Sequence, residues 1–174
     1  SGSSTKFAVG EDGKSMSAYA YTKAQNTELL EAYASWNNLE YAIVYFYNVY
    51  GDGEVATGKY STVIGKFINL IKAGNTTLPI TSPGTQLRNF THIDDTVAGL
   101  ILVMEWGSGD GWGIGNSTAY SLLDLAEICG AMPIMKPEKP GNRMAGVVHN
   151  EMLLALGWKP QVNLREYINA KLDI

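Results

Sequence analysis

Tyr41-Ala42-Ile43-Val44-Tyr45-Phe46-Tyr47 is an unbroken apolar and aromatic run. A strand with one face in water alternates apolar and polar residues, and this run does not. Ile43 and Val44 are β-branched, which favours extended backbone. The run therefore predicts a strand buried on both faces, as in a parallel sheet covered by helices. Asn48 to Gly53, rich in turn formers, breaks it. On its N-terminal side the spacing predicts a helix from about Ser17 to Trp36. Ser17 serves as N-cap, Ala24, Leu29, Tyr33 and Trp36 form an apolar stripe, and Asn37-Asn38 stops it. On its C-terminal side a second helix is expected over about Thr62 to Ala73, then a short strand at Leu78–Thr81, a turn at Ser82-Pro83-Gly84 and an extended piece at Arg88–Ile93. Asp94 or Asp95 should cap a helix to Trp106 with Val97, Leu100, Ile101 and Met104 facing inward. A small strand around Trp112–Ile114 follows. Ser121 opens a helix to about Cys129 in a capping-box variant. Residues 133–143 read as a loop with room for a short strand. Helices at Asn150–Leu156 and from Asn163 close the chain. Helices alternating with short strands define an α/β or α+β class.

The chain has 174 residues, enough for one domain of ordinary size, and its 45% hydrophobic and 17% charged content is that of a globular protein with a core. Net charge is −4, with a pI near 5.1. An acidic balance argues against nucleic-acid and anionic-membrane partners, which attract a basic surface. No run is long and apolar enough to span a membrane. Cys129 is the only cysteine, so neither a disulfide framework nor a cysteine metal site can form within the chain, and a buried thiol in a reducing, cytoplasmic setting is expected. His92 and His149 have no metal-ligand spacing, and no metal site is expected.

Tyr19 and Lys23 stand four residues apart at the head of the first helix, so they share one face. An ammonium beside a phenol favours the phenolate, which is how a tyrosine becomes a general acid/base near neutral pH. The spacing alone also suits an amphipathic helix with a snorkelling lysine. Other residues carry matching chemistry. Thr5 offers a hydroxyl before the helix. Asn48 falls at the C-terminal end of the buried strand, where open α/β sheets bind ligands. Arg88 and Arg143 offer planar forks suited to a diphosphate, or to a surface ion pair.

In order along the chain these pieces resemble the extended branch of the short-chain dehydrogenase/reductase superfamily, the NAD-dependent sugar-nucleotide epimerases and dehydratases. Ser3-Ser4-Thr5 precedes Tyr-x-x-x-Lys. Phe46-Tyr47-Asn48-Val49-Tyr50-Gly51 is similar to that branch's Phe-Asn-x-Tyr-Gly signature at a strand end. Gln86 to Asp95 (Gln-Leu-Arg-Asn-Phe-Thr-His-Ile-Asp-Asp) is similar to its Arg-Asp-Phe-(x)-His-Val-x-Asp segment, and Leu156-Gly157-Trp158-Lys159-Pro160 to its Leu-Gly-Trp-x-Pro element. Tyr45 departs from the pattern, which often has arginine there.

The resemblance implies an α/β fold: the C-terminal part of a Rossmann-type parallel sheet plus a small α+β substrate-binding lobe. Residues 1–57 would be the remnant of the NAD-binding domain and 58–174 mainly the lobe. It implies Tyr19 as acid/base on a sugar hydroxyl and Lys23 as holder of the nicotinamide ribose and activator of Tyr19. Thr5 would bond the reacting oxygen, with Tyr47 and Asn48 beside the cofactor. Asn48, Arg88 and Arg143 would grip the diphosphate of a nucleotide-diphosphate sugar. NAD is implied rather than NADP. The implied activity is C4 epimerisation, with 4,6-dehydratase, keto-sugar reductase and a non-catalytic sugar-nucleotide-binding module as alternatives. Lys6-Phe7 after Thr5 disfavours the dehydratase, whose branch carries an acidic pair there. The family opens on a strand and a Gly-x-Gly-x-x-Gly-type turn, and the 174 residues contain neither that turn nor a P-loop. The chain is therefore expected to be a C-terminal portion that exposes apolar surface and a sheet edge, self-associates as a homodimer or otherwise, and does not bind NAD tightly or turn over alone.

Overall fold

The computed structural model describes residues 18–138 and 147–174. In chain order the elements are α1 (Ala18–Asn37), β1 (Ala42–Phe46), β2 (Val49–Tyr50), α2 (Val63–Lys72), β3 (Thr77–Thr81), β4 (Leu87–Asn89), β5 (Thr91–His92), α3 (Ile93–Trp106), β6 (Gly109–Ile114), β7 (Ala119–Ser121), α4 (Leu122–Ile128), β8 (Met132–Lys136), α5 (Glu151–Ala155) and α6 (Leu164–Leu172).

The opening run forms β1, and it is parallel as expected. It pairs with β6, Val44 opposite Trp112, Tyr45 opposite Gly113 and Phe46 opposite Ile114. Parallel partners need a long crossover, and α3 supplies its last part, packing on both strands with α5 on β6. Val103, Trp112, Ile114, Leu153 and Trp158 form the core of this layer, with Ala42, Val44 and Phe46 against it. A second, larger core gathers Ile64, Phe67 and Ile68 of α2, Leu78 and Ile80 of β3, Leu125 and Ile128 of α4, and Leu164 and Ile168 of α6. It takes in β3 but not its parallel partner β8, which is exposed along its length. Each such fully buried aliphatic or aromatic side chain contributes roughly 1.5–3 kcal/mol. Two short pairs complete the strands: β2 parallel to β5, and β4 antiparallel to β7.

Local chemistry explains the boundaries. Thr62 caps α2 by accepting from the Gly65 N–H at 3.2 Å. Ser121 and Asp124 form a reciprocal capping box at α4. Asn163 accepts from the Arg165 and Glu166 N–H groups at α6. The expected Ser17 cap lies outside the described residues.

Two expectations for α3 are corrected. Its N-cap is His92, whose Nδ1 accepts from Asp94 N at 3.2 Å, and not Asp94 or Asp95. Its buried face is Asp95, Thr96, Gly99 and Val103, while Val97, Leu100, Ile101 and Met104 are exposed. The cause is Gly99. A Cβ there would stand 2.9 Å from Ile114 and 3.1 Å from Leu153 and from Trp158, so only the bare backbone lets the helix approach this closely. On α1, Ala34 is buried and Leu29, Tyr33 and Trp36 are exposed.

Candidate active site

Tyr19 and Lys23 sit in the first two turns of α1. Lys23 Nζ is 5.9 Å from the centroid of the Tyr19 ring, a cation–π distance, and both side chains are exposed, Tyr19 at 54%. The helix spacing thus brings ammonium and phenol to one spot in contact with solvent. Buried Tyr50 and half-buried Tyr167 differ. Burial first, then the Asp95 charge, raises Tyr50 well above a normal phenol. Burial, helped by Asp52 and Glu54, pushes Tyr167 up to about 12. Both are held protonated at neutral pH and are poor acid/bases.

Asn48 stands at the C-terminal end of β1 with φ 36°, in the left-handed region that asparagine tolerates better than most residues. This turns the chain out of β1 into β2. Its Nδ2 donates to the Asn89 carbonyl at 2.9 Å. Beside it lies a cavity of about 110 Å³ lined by Asn48, Val49, Thr62, Val63, Ile64 and Phe90, at the N-terminus of α2. Helix N-termini favour anions, because their first N–H groups lack intrahelical acceptors. The Gly65 N–H is taken by Thr62 Oγ1, which itself donates to Glu54.

Tyr47 is buried. Its ring packs where a Cβ on Gly115 would stand 2.6 Å away, and its hydroxyl accepts from the His149 N–H at 3.2 Å. Arg88, on β4, is half-buried, and its Nη1 donates to the Leu87 carbonyl at 2.7 Å. Thr5 and Arg143 lie outside the described residues. The structure thus joins Tyr19 with Lys23 on α1, and Asn48 with the β4 segment that carries Arg88. Among the described residues α1 packs extensively on no other element.

Sequence reasoning missed Asn89 and Asn150. Asn89 Nδ2 lies 2.9, 3.1 and 3.3 Å from the carbonyls of Asn116, Ser117 and Thr118. Asn150 Nδ2 donates to the Gly115 carbonyl at 2.6 Å and to Ser117 Oγ at 3.2 Å. Both are buried. Asn89 had a signal, an amide next to Arg88 in a segment otherwise heading for the core.

Among the described residues no group of three His, Cys, Asp or Glu could hold a metal ion, and no helix is long and apolar enough to cross a membrane.

A parallel α/β layer with an asparagine at a strand end and a Tyr-x-x-x-Lys helix defines a protein of the short-chain dehydrogenase/reductase class. The profile of the NAD dependent epimerase/dehydratase family matches residues 3–115, and the chain belongs to that family. It is 30% identical over 161 residues to a dTDP-L-rhamnose 4-epimerase of Burkholderia thailandensis, covering 87% of this chain and 44% of that one. A UDP-glucose 4-epimerase of Thermotoga maritima, solved with UDP-glucose, superposes with a TM-score of 0.83 at 26% identity, over 94% of this chain and 55% of that one. The UDP-glucose 4-epimerase of Thermus thermophilus, solved with NAD, superposes with a TM-score of 0.75 at 25% identity, over 95% and 56%. The chain spans about half the length of the relatives it matches.

Proposed function

We propose that this chain carries the proton-transfer and substrate-binding part of an NAD-dependent C4 epimerase acting on a nucleotide-diphosphate sugar. The observation that carries this reading is Lys23 over Tyr19 on a solvent-facing helix turn, in a chain of this family. Tyr19 removes a proton from the sugar C4 hydroxyl and returns it after the ring is presented by its other face. Lys23, its ammonium beside the phenol, holds a ribose hydroxyl. Thr5 bonds the reacting oxygen. The residues present suit NAD: an exposed ammonium beside the phenol, and Tyr47 and Asn48 at the strand end where such folds receive ligands. When bound, NAD supplies the hydride acceptor.

Asn48 reaches the ligand from the sheet, and Arg88 and Arg143 take the diphosphate, bidentate forks on paired phosphates. Residues 1–57 belong to the cofactor side and 58–174 mainly to the substrate lobe. The exposed apolar residues of α1 and α3 support self-association of the chain.

The test joins this chain to the NAD-binding half of a family member and supplies a panel of UDP- and dTDP-sugars with NAD, followed by NMR of the sugar and by nicotinamide fluorescence. Interconversion of C4 epimers supports the reading. A 4-keto-6-deoxy product, or absence of binding to every sugar nucleotide, overturns it.

A further inference from the structure

We propose that Asn89 is the positioning residue of Asn48, so that the orientation of the ligand-facing amide is set from β4 and from the turn beyond β6; this rests on Asn48 being a ligand donor.

Asn89 faces two ways. Its side chain is surrounded by the carbonyls of Asn116, Ser117 and Thr118, between 2.9 and 3.3 Å from Nδ2. Three acceptor oxygens can be satisfied only by an NH2 group, which settles which end of the amide points there. Its main-chain carbonyl accepts from Asn48 Nδ2. The residue is 6% exposed, so water does not compete for these bonds.

Around this pair the polar contacts close into a circuit. Thr91 Oγ1 accepts from the Asn116 N–H at 3.0 Å, and the Thr91 N–H faces the Asn48 carbonyl at 3.4 Å. Asn150 bonds the Gly115 carbonyl and Ser117 Oγ. The next residue back, His149, donates its N–H to Tyr47, the neighbour of Asn48. The 115–118 turn is thereby fixed to β4, β5 and residues 149–150 at once, and Asn48 is fixed through Asn89. A carboxamide nitrogen has two N–H groups. The Asn89 carbonyl takes one, and the circuit aims the other.

The carboxamide is specific here. A carboxylate against three carbonyl oxygens would be an acceptor facing acceptors, at a buried site where unpaired charge is costly. Asn89 and the 115–118 turn are matched to one another.

The experiment measures binding of UDP-glucose and dTDP-glucose by calorimetry to the unaltered chain, Asn89→Asp, Asn48→Ala and the double variant. Asn89→Asp is expected to weaken binding about tenfold or more, and the double variant to bind no more weakly than Asn48→Ala, because Asn89 acts through Asn48. Unchanged affinity in Asn89→Asp, or losses that add in full, overturns the proposal. Amide hydrogen exchange provides a second readout without ligand. Asn89→Asp should speed exchange at the Asn116 and His149 N–H groups by about tenfold or more while leaving α6 unchanged. If the unaltered chain binds neither probe, the reading of Asn48 as a ligand donor has failed, and the positioning of the circuit by Asn89 stands or falls on this exchange pattern.

Discussion

The Trp158 indole N–H donates to the Asp95 carbonyl at 2.9 Å, 63 residues away in sequence. The Asp95 carboxylate completes the clasp, accepting from the Gln161 N–H at 2.8 Å and the Val162 N–H at 3.1 Å. The start of α3 thus holds the segment leading into α6, joining the two cores. Hydrogen bonds to charged groups contribute about 1.5–3 kcal/mol each, and losing the acceptor leaves two part-buried donors unpaired. Asp95→Ala should therefore destabilise by about 3 kcal/mol in urea unfolding. Asp95→Asn should cost less, because one oxygen remains. Equal stability of all three proteins would show that the clasp contributes nothing.

Gly113 predicts a larger local failure. A Cβ there would stand 1.8 Å from the His149 carbonyl oxygen, and backbone cannot yield as a side-chain end can. Gly113→Ala should push residues 147–150 off β6 and lower stability by about 2 kcal/mol or more. Gly53→Ala is the contrast. Its Cβ would meet nothing within 4 Å, so only the strain of φ 86° remains. A smaller loss at Gly53 than at Gly113, measured by thermal melting, is the expected order.

Cys129 gives a pH dependence. Burial pushes its thiol up to about 11 from an ordinary value near 9. The native state thus holds the proton more tightly than the unfolded chain. The associated stability is complete below about pH 9 and is lost as pH climbs through about 11. Tyr167, pushed up to about 12, adds a loss of the same sign from about pH 10. Stability should fall across about pH 9–12, and less steeply in Cys129→Ala. At about pH 8 iodoacetamide should label Cys129 only through unfolding; rapid labelling of the native chain would contradict this.

Tyr19 offers a separable effect. Being exposed, it holds up no core, so Tyr19→Phe should leave the melting temperature unchanged. If Tyr19 is the acid/base, the same substitution should lower epimerase turnover of the chain joined to the family's NAD-binding half by about 10²–10⁴. Loss of turnover in step with loss of fold would assign it a structural part instead.

How far the sequence led depended on the range of the interactions. The β1 strand and the Ser121 capping box are local, and the chain forms both, although only Tyr45 of the five β1 residues is buried. Tyr19 and Lys23 met because helix geometry alone places them. The face of α3 was misread because that helix is apolar nearly all round, and the choice was made by close approach at Gly99 to residues from β6, α5 and the Trp158 segment. Asn89 escaped notice because its acceptors are main-chain carbonyls 27 to 29 residues away, which no side-chain pattern encodes. Buried polar circuits become legible only once the turns that close them are in place.

The outward face of α3 supplies the last prediction. Val97, Leu100, Ile101 and Met104 are exposed, Met104 at 77%, and Trp36 and Leu29 are exposed on α1. A soluble monomer rarely leaves large contiguous apolar patches open, and each such side chain gains roughly 1.5–3 kcal/mol when covered. β1 adds a strand edge, paired on one side with β6 among the described residues. The chain should therefore associate reversibly, its weight-average mass in sedimentation velocity rising with concentration. Leu100→Lys with Met104→Lys puts two charges on the face without touching either core and should lower that mass at every concentration. If the doubly substituted chain associates as strongly as the original, α3 is not the contact. The same pair of substitutions on α1, at Leu29 and Trp36, then tests the remaining face.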